Sequence, residues 1–124
     1  MSYSIKPSDD GNYIILKHWG EINRELTTKR NLEAHALGAE LGITRHLVDL
    51  TEAKHVDTVT NTYEFAYKDM RFLSGIKKNA RVAVLVSPDD HSHDFVATVA
   101  RNAGQNVTLF RDREAAIQHL LKNL

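Results

Sequence analysis

The chain has 124 residues, of which 42% are hydrophobic and 26% charged, with 16 basic against 16 acidic side chains and no cysteine. That length suits one domain, residues 1–124, with a core of its own, in a composition typical of globular rather than disordered chains. A balanced charge supplies no field for nucleic acid or an anionic membrane surface, the lack of cysteine excludes a disulfide framework and thiolate zinc, and no apolar run suggests a leader or a membrane span, so a cytoplasmic protein is expected.

In chain order, Tyr3 to Lys6 reads as a weak strand, followed by the turn formers Pro7-Ser8-Asp9-Asp10-Gly11-Asn12. The β-formers from Tyr13 to Trp19, ended by Gly20, are expected to return antiparallel to it. Asn23 to Leu41 predicts a long helix, with Leu26, Ala34, Leu37 and Leu41 near helical spacing and Gly42 placed to stop it. His46 to Leu50 then reads as a short buried strand that empties into a polar loop, Thr51 to Asp57, before a helix opens near Thr58.

In that helix Val59, Tyr63, Ala66, Tyr67, Met70 and Leu73 share one face, which is expected to point inward, and Ser74-Gly75 ends it. The apolar run Arg81 to Pro88 has the pattern of a strand covered on both faces and is the candidate central strand. Phe95, Val96, Val99, Ala100 and Ala103 form another helical stripe, closed by Gly104. Asn106 to Phe110 supplies a last strand, and Asp112 caps a final helix whose buried face is Ala116, Ile117, Leu120, Leu121 and Leu124.

Strands alternating with helices in this order predict one α/β domain: a mostly parallel sheet of about five strands, an N-terminal antiparallel hairpin and four helices. Loops that follow the strand C-termini converge on one rim in such sheets, which makes Thr51 to Asp57 and Ser87 to Asp94 expected neighbours.

Trp19-Gly20-Glu21-Ile22, Val48-Asp49-Leu50-Thr51 running to Val56-Asp57-Thr58, Arg81-Val82-Ala83-Val84, and Phe110 to Ala116 with Leu120-Leu121 together resemble a STAS domain of the SpoIIAA-like type. The resemblance covers nearly the whole chain and implies a non-catalytic binding or regulatory module acting through protein contacts, as in the anti-sigma factor antagonists. The fold is also similar to that of lipid-carrying CRAL-TRIO domains, which implies the alternative of a carrier or sensor of a small apolar ligand held between sheet and helices. Regulatory members of the family carry Asp-Ser-Ser-Gly at this helix start, with the second serine accepting a phosphoryl group. Laid on Asp57-Thr58-Val59-Thr60, that pattern puts valine at the acceptor position, so the resemblance implies that the switch is missing. Asp49, Asp57, Thr58 and Thr60 are the candidate regulatory residues, with Thr58 read as a helix cap.

A second constellation is Asp89-Asp90-His91-Ser92-His93-Asp94, with His55 and Asp57 across the rim. Imidazole and carboxylate are ligands for divalent ions, and a His–Asp pair is a candidate for acid–base chemistry. The spacing matches no closed ligand set, and no nucleophile elbow or glycine-rich phosphate loop is present, so neither metal, cofactor nor catalysis is expected. Tyr63, Phe65 and Phe72 are the candidate surface for a protein partner or a second copy.

Overall fold

The computed structural model describes residues 2–124. Five strands, β1 (Tyr3–Pro7), β2 (Ile14–Ile22), β3 (Arg45–His55), β4 (Arg81–Leu85) and β5 (Val107–Phe110), form one sheet in the order β1-β2-β3-β4-β5. The first pair is antiparallel and the other three pairs are parallel. The helices are α1 (Arg24–Leu41), α2 (Val59–Glu64), α3 (Met70–Phe72), α4 (Asp94–Asn102) and α5 (Arg113–Leu121). A π-helical turn, Phe65–Asp69, joins α2 to α3, so that 59–72 is one helical segment widened in its middle. None of the helices among the described residues is long and apolar enough to cross a membrane.

Alternation along the strands sorts the side chains into two layers. Leu47 of β3 and Ala83 and Leu85 of β4 meet Ala116 and Leu120 of α5 on one face, together with Tyr13. On the other face, Ile14 and Leu16 pack with Ala34 of α1, while Val48, Leu50, Val82 and Val84 lie toward the middle. Helix α4 covers β5, where Val99 and Ala100 pack with Ala66 of the π turn.

The helix ends follow their chemistry. Asn23 caps α1 through its side chain on the Leu26 amide at 3.0 Å, and Gly42 closes it with φ of 72°. Asp112 caps α5 in the same way, on the Ala115 amide at 2.9 Å.

Four expectations give way here. Strand β3 does not stop at Leu50: it runs to His55, because Trp19 to Ile22 continue β2 and pair with Glu52 to His55. Gly20 therefore lies inside β2, at φ of 81°, just after a register shift between Lys17 and Trp19. Glycine relieves the strain there, and the strand bends instead of ending. The Arg81 to Pro88 run ends as a strand at Leu85, and the centre of the sheet belongs to β3. Finally, Leu41, Val59, Leu73, Phe95 and Leu124 are exposed, at 48, 62, 37, 45 and 64%, because helical spacing reports a face but not whether anything covers it.

His35 and His46 stack inside the α1 side of the sheet, with ring centroids 4.4 Å apart. A Cβ on Gly38 would sit 2.6 Å from the Ile43 carbonyl oxygen, so the absence of a side chain lets α1 approach the chain that feeds β3. Burial holds these two rings neutral, with Lys77 adding to the effect at His35 and His35 to that at His46; their pKa values fall from 6.5 to about 4 and about 3. In the unfolded chain both take up a proton near 6.5, so their contribution to stability is full above that pH and is lost as pH falls toward about 4. Urea unfolding is expected to show a loss of at least about 2 kcal/mol between about pH 7 and about pH 5. A His46→Leu variant is expected to flatten that dependence.

Candidate functional site

Helix α1 packs on β1 and β2, and α4 on β5. The segment 59–72 bridges them, with α1 and α4 as its main packing partners outside itself. The middle of the sheet is thereby roofed without being filled. A cavity of about 520 Å³ lies there, with Val48, Leu50, Val82 and Val84 as its floor and Phe65 and Met70 in its roof. The volume falls in the range of small-molecule sites, and the lining is mainly apolar.

The roof is fastened by ionic contacts. Arg24, in the first turn of α1, donates to both Asp69 oxygens at 2.7 and 3.1 Å and to Glu64, while the Thr28 hydroxyl donates to Asp69 at 3.1 Å. These hydrogen bonds from Arg24 hold the Asp69 carboxyl below its usual range. On the far side, Gln105 donates to the Ala66 carbonyl of the π turn at 2.7 Å, tying the wider turn to the end of α4.

Among the polar residues at the cavity are four histidines: His18 from β2, His35 from α1, His55 at the end of β3, and His93 from the loop before α4. His18 is fully buried, and its Nδ1 is 3.1 Å from Nη1 of Arg30. His93 is 1% exposed, with Nε2 at 3.0 Å from the Ala53 carbonyl and 3.4 Å from Asp90 Oδ2. His55 places Nε2 3.2 Å from the Thr62 hydroxyl, and its ring centroid is 6.4 Å from that of His93. Burial, and after it the Arg30 guanidinium, lower the His18 pKa to about 4. Burial opposes ionisation of Asp90, yet the Ser92 hydrogen bonds and Lys54 hold its pKa down at about 2.

The two loops expected to be neighbours are so. Ser87 donates to the Thr51 carbonyl at 2.6 Å, the His55 amide to the Ser92 hydroxyl at 3.2 Å, and Lys54 pairs with Asp90 at 3.3 Å. The polar cluster itself separates. His93 turns inward, His91 turns outward onto Asp94 and Arg111, and Asp89 is exposed. Among the described residues no group of three His, Cys, Asp or Glu converges as metal ligands.

The candidate regulatory residues have structural partners. Buried Asp49 accepts from the amide and hydroxyl of Thr51 at 3.0 and 2.7 Å and from Arg113 at 2.8 Å; burial resists its ionisation, but those bonds outweigh it and lower the pKa. Asp57 accepts from the Arg24 amide at 2.6 Å and from the Thr58 amide and Asn61 side chain, both at 2.8 Å, so one carboxylate joins the starts of α1 and α2. The Thr58 hydroxyl caps α2 by accepting from the Asn61 amide at 3.0 Å, and Thr60 is exposed. Val59 faces solvent, contrary to expectation, because the first turn of α2 projects beyond the packed layer.

Tyr63 and Phe72 are exposed, at 46 and 73%. Phe65 is only half-buried and lines the cavity, so it is not part of a continuous outer face with them. Phe95 replaces it, meeting Tyr63 edge-on at 5.8 Å. Sequence reasoning missed His18, Arg24 and Asp69. His18 carried a signal, since it continues the period-two row of Ile14 and Leu16; the Arg24–Asp69 pair, 45 residues apart, carried none.

No protein-family model matches the chain, and no curated protein does. Among solved structures, the chain is similar to an uncharacterized protein of the DUF3478 family with a SpoIIAA-like fold from Shewanella loihica PV-4. The two are 18% identical, with a TM-score of 0.53, over 95% of this chain and 91% of the other. The fold is therefore SpoIIAA-like, as the order of elements implied.

Asp57→Ala is expected to lower unfolding stability by about 1–3 kcal/mol, since three donors lose one acceptor, and Thr58→Ala by about 1 kcal/mol. Denaturant midpoints check both, and an Asp57 effect no larger than that of Thr58 would show that the carboxylate does not join the helices.

Proposed function

We propose that this protein is a non-catalytic binding module that holds a small, mainly apolar ligand between its sheet and its helices, as a carrier or sensor. The observation that carries this reading is the 520 Å³ cavity over Val48, Leu50, Val82 and Val84. A void of that size among aliphatic side chains forfeits packing that a close-fitting roof would supply, and an apolar occupant restores it. The roof is held by Arg24, Glu64 and Asp69 at its edge, so an occupant need not displace a packed core to enter.

A second reading rests on the exposed side chains Val59, Tyr63, Phe72 and Phe95, which support contact with another protein. The two readings are compatible in a sensor, because Phe72 both borders the cavity and faces outward.

Native mass spectrometry of protein purified from its host is expected to show a one-to-one adduct of lipid-like mass. Val84→Phe, which fills the floor, is expected to lose the adduct while keeping the circular dichroism spectrum. A wild-type protein that carries no adduct and takes up no apolar probe on titration would overturn the ligand reading. For the second reading, Tyr63→Ser with Phe72→Ser is expected to abolish any self-association or partner capture shown by the wild type, and unchanged sedimentation and capture would refute it.

A further inference from the structure

The charges at the cavity are not all committed. Arg24 is held by Glu64 and Asp69, and Asp57 accepts from three donors at the starts of α1 and α2. Arg71, Lys77 and Lys78 also line the cavity, and among the described residues none of the three is paired with a carboxylate. They stand in a stretch that runs from Met70 to Pro88 without an acidic residue, in a chain whose overall charge is zero. The uncompensated charge at this cavity is therefore positive and local.

Their places are fixed against the lining. The Arg71 guanidinium lies 5.4 Å from the centre of the Phe72 ring and 6.0 Å from that of Tyr67, and the Lys78 ammonium lies 5.8 Å from the same Phe72 ring. An aromatic face holds a cation without cancelling its charge. Lys77 is set on the wall by its amide, which donates to Nδ1 of His35 at 3.0 Å, beside buried Ile76. Arg71, Phe72, Lys77 and Lys78 line the cavity and are exposed, so this segment forms one edge of its opening, where an aliphatic interior gives way to three solvated cations.

We propose that the cavity takes an anionic amphiphile, with its apolar chain over Val48, Leu50, Val82 and Val84 and a single oxyanion head, a carboxylate or a sulfate or phosphate ester, at the edge formed by Arg71, Lys77 and Lys78. The chain leaves water, while the head stays in water beside exposed cations and escapes the cost of burying a charge. A cationic head is repelled at the same edge, and a neutral one gains nothing there. This inference rests on the ligand-binding reading above and adds the charge and orientation of the ligand to it.

The test is displacement of a neutral fluorescent apolar probe from the full chain by decanoate, decyl sulfate, decanol and decyltrimethylammonium, each below its micelle concentration and at neutral pH. At low ionic strength at least one of the two anions is expected to bind about fivefold or more tightly than decanol, and decyltrimethylammonium more weakly than decanol. The tighter anion names the head group, and its advantage is expected to shrink as salt is added. Arg71→Gln with Lys77→Gln and Lys78→Gln changes only exposed side chains, and is expected to bring that anion within about twofold of decanol while decanol binding is kept. Lys6→Gln with Lys29→Gln and Lys122→Gln removes the same charge from exposed positions away from the cavity, and is expected to keep the preference. Anions that bind no better than the alcohol, a preference that survives in the first variant, or one that falls equally in both would overturn the head-group assignment and leave the ligand reading standing. If the wild type binds neither the probe nor any of the four compounds, the ligand reading fails, and this inference with it.

Discussion

The bridge from Arg24 to Glu64 and Asp69 is the interaction on which the architecture of the cavity depends. One guanidinium in the first turn of α1 engages two carboxylates at the two ends of a π-helical turn, and the helical segment above the sheet is anchored by charge on its α1 side and by the packing of Ala66 on Val99 and Ala100 on its α4 side. A roof held from below would need side chains interlocked with Val48 and Val84, and those side chains would occupy the space. Anchoring at the margin separates the stability of the roof from the filling of the interior. The π turn suits the task, since its extra residue widens the backbone where Asp69 reaches Arg24 and Ala66 reaches Gln105.

Four histidines are buried on this face of the sheet, each fixed in its own way. His35 and His46 stack on one another against α1 and act as flat packing material, with Gly38 making room. His18 and His93 are each held through one nitrogen, on Arg30 and on the Ala53 carbonyl.

Much of the fold was legible because its signals are local. Turn formers at Pro7 to Asn12, the capping residues Thr58 and Asp112, and the stop at Gly42 each act within a few residues, and the structure uses them as expected. The errors came where a local signal met a longer-range partner. Gly20 reads as a stop, but β3 continues beside it and supplies the pairing that keeps β2 extended. Thr51 to His55 reads as a polar loop because its residues alternate over a layer that is partly wet, and only β2 makes it a strand. The site was less legible. A cavity is a mismatch between the reach of helices and the width of a sheet, and no residue type encodes it. His93 stood out in the sequence for the wrong reason, as a companion of His91, whereas the backbone aims the two in opposite directions.

Strand β3 outlasts its neighbour on one side. Beyond Asp49 it has lost β4, and the edge from Thr51 to His55 that β4 would have paired is closed by side chains: Ser87 on the Thr51 carbonyl, His93 on the Ala53 carbonyl, and Ser92 on the His55 amide. Open backbone edges are templates on which foreign strands grow, and here three of the edge's backbone groups are taken by side chains of the 87–93 loop. The three contacts run out of chain order, Ser92 reaching farther along β3 than His93, so the loop doubles back over the edge it covers. The segment is therefore a cover as much as a connection: the chain that carries β4 on toward α4 also closes the strand that β4 leaves bare.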